Sequence, residues 1–78
     1  MERSITTEEY GRLLAVLREL RMAAGLRQED VAEALDVNQT WVSKYERGER
    51  RLDVVELAQV AKVLGSSLTE VILRLDLD

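Results

Sequence analysis

QEDVAEALDVNQTWVSKYER, residues Gln28 to Arg47, carries apolar side chains at Val31, Leu35, Val37, Val42 and Tyr45 and a small one at Ala32. This spacing predicts two short helices, Gln28 to Leu35 and Gln39 to Arg47, joined by the turn Asp36-Val37-Asn38, with Asn38 as the N-cap of the second. Ala32 lets the helices approach closely, and the apolar positions seal their crossing against the remaining helices. The N-terminal half of the second helix is left projecting outward, with dimensions that suit the major groove of duplex DNA.

Upstream, Thr6-Thr7-Glu8-Glu9 reads as a capping box with Thr6 as N-cap, and Ile5 and Tyr10 stand where a hydrophobic staple belongs. The stripe Tyr10, Leu13, Val16, Leu17 and Leu20 then predicts a first helix that ends at Gly25, with Gly11 inside it as a residue unfavourable to helix. Downstream, Gly48 stops the outward helix and residues 49–52 form a loop. Asp53 and Glu56 cap a fourth helix, in which Val54, Leu57, Val60, Ala61 and Leu64 give the 3.6-residue spacing before Gly65. Ser67 and Glu70 form a further capping box for a fifth helix through Leu75. There Leu68, Val71, Ile72 and Leu75 are assigned to the core, while Leu73 and Leu77 fall on a second apolar face. The expectation is an all-α, five-helix domain spanning residues 1–78, with the helix-turn-helix in helices 2 and 3.

Composition narrows the chemistry. Across 78 residues there is no Cys, no His and no Pro, which removes thiol nucleophiles, the usual general base and the common zinc ligands. No catalytic residue, metal site, cofactor or small-molecule ligand is expected, and the chain reads as a non-enzyme. No run of about 18 apolar residues and no secretory leader is present, so a cytoplasmic location without membrane contact is expected. The net charge of −4 argues against a nucleic-acid partner when taken globally. Locally the balance reverses: between Asn38 and Arg51, Lys44, Arg47, Arg50 and Arg51 stand against Glu46 and Glu49.

The wider stretch LRQEDVAEALDVNQTWVSKYERGERRLDVVELAQVAKVLGSSLTEV, with LRELRMAAG before it, resembles the Cro/repressor (XRE-type) helix-turn-helix family over roughly residues 13 to 75. In size the chain is similar to phage Cro-like repressors and restriction-modification controller proteins. The resemblance implies that the third helix reads bases through Gln39, Thr40 and Lys44, with Asn38 and Ser43 beside them. Gln suits adenine N6 and N7, Lys suits guanine O6 or N7, and the Thr methyl suits that of thymine. It further implies phosphate contacts from Gln28, which opens the second helix, and from Arg47, Arg50 and Arg51 after the third. Trp41, partly exposed, is expected along the DNA backbone, with packing against a neighbouring loop as the competing role. Arg21 and Glu46 occupy the places of a structural ion pair.

Two positions depart from the family pattern. Asp36 stands where Gly is usual in the turn, and Arg27 replaces a Ser or Thr cap, forfeiting that cap while adding a candidate phosphate contact. Because one recognition helix spans few base pairs, the expected form is a homodimer on a palindromic operator in double-stranded DNA, paired through Leu73 and Leu77. The predicted function is sequence-specific transcriptional regulation. The alternative is a helix-turn-helix module, antitoxin-like, that binds a protein partner, and the acidic net charge favours it.

Overall fold

A computed structural model describes residues 7–76 of the chain. They form α1 (Thr7–Ala23), α2 (Gln28–Leu35), α3 (Gln39–Glu46), α4 (Val54–Val63) and α5 (Leu68–Leu75), with no strand among the described residues. The architecture is all-α, as the periodicity predicts. The residues expected to cap α1, Thr6 and Ile5, and Leu77 of the second apolar face lie outside the described residues. α3 ends one residue earlier than predicted, with Arg47 as its C-cap.

The first four helices stop in the same way. Gly25, Asp36, Gly48 and Gly65 each adopt a left-handed backbone, with φ of 73°, 61°, 79° and 81°. At each, two amides fold back onto the last turn, as Gly25 to Met22 and Leu26 to Arg21 do after α1 and Asp36 to Glu33 and Val37 to Ala32 do after α2. This double closure satisfies carbonyls that the helix end would otherwise orphan. Asp36 therefore does the work of a glycine in the helix-turn-helix turn, at the conformational cost of its Cβ.

Helix starts are equally local. The side chains of Asn38, Asp53 and Ser67 accept from the backbone N–H groups of Trp41, Glu56 and Glu70 at 2.9, 2.7 and 3.0 Å. Around Asp53 the reciprocal bond is also made, since Glu56 accepts from the Asp53 amide at 3.0 Å. Ser67 lacks that second half; the Glu70 carboxylate turns instead to Arg74, one helical turn on. Arg27 cannot accept at the start of α2, but the cap is not wholly forfeited. Asp30 accepts from the Arg27 amide at 2.8 Å and so supplies half of a box from the other side.

The core is built from Leu13 and Leu17 of α1, Val31 and Ala32 of α2, Val42 and Tyr45 of α3, Leu57, Val60 and Ala61 of α4, Leu64, and Val71 and Leu75 of α5. Tyr10, Val16, Leu20, Leu35 and Val37 pack partly buried around it. The assignment of Ile72 to the core is corrected, and Val54 of the α4 pattern is exposed as well. Val54 is 64% exposed, because it is the first residue of α4 and overhangs the packed part of the helix, and Ile72 is 48% exposed on the edge of the α5 stripe. Long-range polar tethers complete the packing: Leu52 N–H donates to Tyr10 Oη at 3.1 Å, and Arg12 donates to the Leu75 carbonyl at 3.4 Å.

A Cβ added at Gly11, inside α1, meets nothing within 4 Å, whereas Asp36 holds a backbone that glycine would adopt freely. Gly11→Ala is therefore expected to stabilise the fold by about 0.5–1 kcal/mol, and Asp36→Gly by a few tenths to about 1 kcal/mol. In a domain of this size each should raise the thermal midpoint by roughly 2–6 °C, measured by circular dichroism.

Candidate nucleic-acid interface

α3 begins where Asn38 takes the extended conformation and caps Trp41, so the helix orientation follows directly from the left-handed turn at Asp36. Its inner side chains, Val42 and Tyr45, are fully buried, while Gln39, Thr40 and Lys44 are exposed on the outer face and Ser43 is half-buried beside them. Gln39, Thr40, Ser43 and Arg47 line one shallow concavity on this face. Asn38, Thr40, Trp41, Lys44, Glu49 and Arg50 line a second. The five residues assigned to base reading thus lie together, although Asn38 Oδ1 already serves the helix cap.

Behind this face runs a chain of polar contacts. Arg21 of α1 meets Glu46, the last residue of α3, through Nε to Oε2 at 2.6 Å and Nη2 to Oε1 at 3.3 Å, and its Nη1 donates to the Leu26 carbonyl at 2.9 Å. The side chains are only 12% and 5% exposed. Gln28 of α2 donates to Glu46 Oε1 at 2.9 Å, and Gln39 donates to Gln28 Oε1 at 3.4 Å. Gln28, assigned to phosphate contact, is thereby held from one side by the ion pair and from the other by the first residue of the outward helix. Beside the pair, burial and the Glu46 carboxylate push the Tyr45 phenol well above its usual range, so it stays neutral.

The arginines around the face all have acidic or aromatic company. Arg27 pairs with Asp30 at 3.3 Å and Glu29 at 3.7 Å. Arg47 forms a two-pronged pair with Glu49, both contacts 3.0 Å, and also donates to Ser43 Oγ. Arg50 grips Glu56 at 2.8 and 3.1 Å and stacks on Trp41 with its guanidinium carbon 4.5 Å from the ring centre, while Arg51 covers Tyr10 at the same distance. The Arg50 guanidinium, helped by the Asp53 amide, holds the Glu56 carboxyl at about 2. Since that value is depressed in the fold, the stability it contributes is present above the ordinary carboxylate range and is lost as the pH falls toward 2. Trp41 is half-buried: it meets Tyr45 edge-on at 5.6 Å and carries Arg50 on its face, while lining the second concavity beside Lys44.

Sequence reasoning missed the carboxylates that hold these arginines. Asp30 was findable, since an acid three residues after an N-cap position is half of a capping box. Glu49 and Glu56 give no such signal for arginines 47 and 50, because their approach depends on the path of the loop.

Removing Glu46 strands the Arg21 charge in a largely buried site. Glu46→Ala is accordingly expected to cost about 3–5 kcal/mol, a large share of what a domain this small possesses, read from urea unfolding. The double change Arg21→Met with Glu46→Leu should recover most of the loss, since no charge then remains unpaired.

Comparison with known proteins agrees with this geometry. A family described as a helix-turn-helix domain matches residues 12–72. Among solved structures, an XRE-family like protein from Pseudomonas syringae pv. tomato str. DC3000 is 38% identical, with a TM-score of 0.88 over 92% of this chain and 88% of that one. No protein of curated function matches the sequence. The chain belongs to the XRE-type helix-turn-helix family of DNA-binding regulators.

Proposed function

We propose that the protein is a sequence-specific transcriptional regulator that binds double-stranded DNA as a homodimer on a palindromic operator. The observation that carries this reading is the outer face of α3, where Gln39, Thr40 and Lys44 stand exposed and adjacent on a helix whose opposite side is anchored by Val42, Tyr45 and Glu46. Gln39 and Lys44 read base edges, Thr40 meets a thymine methyl, and Ser43 and Asn38 flank them. Gln28, Arg27, Trp41, Arg47, Arg50 and Arg51 are assigned to the DNA backbone, with Trp41 also carrying Arg50 on its face. The reading includes no cofactor and no catalytic step.

The dimer is assigned to α5. Leu73 is 70% exposed, and Ile72, which leaves the core, extends the apolar surface beside it. A face of this kind is more readily buried against a second copy than kept in water, and two-fold helix-turn-helix dimers in general read half-sites about one turn of DNA apart. The competing reading, a module that binds a protein partner, draws on the net charge of −4 and on the carboxylates already bound to the arginines.

Selection from a pool of random duplexes should enrich a palindrome, with affinity falling steeply as salt rises. Gln39→Ala and Lys44→Ala should each relax preference at one position of each half-site, by about 1–3 kcal/mol against the best base, while Arg51→Ala weakens all sequences alike. A folded protein that enriches nothing transfers the assignment to the protein-binding module. By sedimentation, Leu73→Glu should yield folded monomers; an unchanged dimer would remove α5 from the interface.

A further inference from the structure

Three arginines beside α3 are held by carboxylates, but the carboxylates that hydrogen-bond them, Asp30, Glu49 and Glu56, are not equivalent. Asp30 also accepts the Arg27 amide, and Glu56 also accepts the Asp53 amide, so both belong to helix starts. The hydrogen bonds of the Glu49 carboxylate go to Arg47, and the Lys44 ammonium adds only a weaker attraction from across the second concavity. That pair is 53% and 54% exposed, a setting in which an ion pair contributes little to stability. Its geometry is a parallel fork, the arrangement in which a guanidinium receives a phosphate. Arg47 also bonds Ser43 and shares a concavity with Gln39 and Thr40, so the fork lies at the edge of the reading face.

From this we infer that Glu49 is a specificity-determining residue: its carboxylate occupies the phosphate-binding position of Arg47 and is displaced only when α3 is seated in register on its operator. The inference rests on the DNA-reading function proposed above. Non-specific binding consists almost wholly of phosphate contacts, so an arginine already satisfied within the protein subtracts directly from it. In the specific complex, base contacts fix the helix and present a phosphate to Arg47 at close range, and the exchange of one anion for another follows. Glu49 thus suppresses binding to the wrong sequence more than binding to the right one, without touching a base.

The test is a double-mutant cycle with the full chain, Glu49→Gln and Arg47→Ala singly and together, measured by fluorescence anisotropy on the selected operator and on a scrambled duplex across a salt series. Glu49→Gln is expected to tighten scrambled-duplex binding about three- to fivefold at low salt and to steepen its salt slope by up to about 0.9, the increment of one more phosphate contact. Operator affinity should rise less, so the ratio between the two falls. In the Arg47→Ala background the same substitution should change neither affinity by more than about twofold. An equal gain with Arg47 absent would show that Glu49 acts by its own charge, and an unchanged affinity for the scrambled duplex would show that it masks nothing; either result overturns the inference while leaving DNA reading intact. Wild-type protein that binds neither duplex would instead remove the DNA reading itself, and the inference with it.

Discussion

Glu46 is where the architecture closes on itself. As the last residue of α3 it receives Arg21 from α1 and Gln28 from α2, so one carboxylate joins the three helices that define the outward face. Its position at the negative end of a helix would ordinarily be unfavourable, and the buried guanidinium opposite offsets this. Hydrophobic burial of Val31, Val42 and Tyr45 packs the crossing, but burial is non-directional; the two-pronged pair and the glutamine beside it fix the rotation of α3 about its own axis. That rotation determines which residues look outward.

The local signals in the chain proved readable because their causes are local. Asn38, Asp53 and Ser67 accept amides three residues ahead whatever the tertiary fold does, and Gly25, Gly48 and Gly65 end helices because a left-handed residue is needed within one turn. Even the unusual turn at Asp36 was legible, since the position after Leu35 requires that conformation and Asp tolerates it better than most residues. Grouping of the polar residues on α3 follows from helical spacing once Val42 and Tyr45 are recognised as inward.

What was not readable depends on where neighbouring elements end. Val54 and Ile72 lie at angles consistent with the core, yet angle carries no information about whether another helix reaches that height, and both remain in water. The same applies to charge. Counting Lys44, Arg47, Arg50 and Arg51 against Glu46 and Glu49 suggests a mildly basic loop, but Glu46 is withdrawn into the interior and Glu56, outside the counted segment, comes forward to Arg50. The field around α3 is set by these folded pairings and differs from the tally along the chain.

The stacking of Arg50 on Trp41 has a practical meaning beyond structure. Trp41 is the only tryptophan in the chain, and it sits with one side against Tyr45 of the core and the other under a guanidinium at the rim of α3. Indole emission responds to nearby charge and to water, so the protein carries an intrinsic optical reporter wired to both its interior and the outward side of α3. Changes in packing and changes in the company of Arg50 should register in the same spectrum, and the pairing of colour and intensity shifts can separate one from the other without an added label.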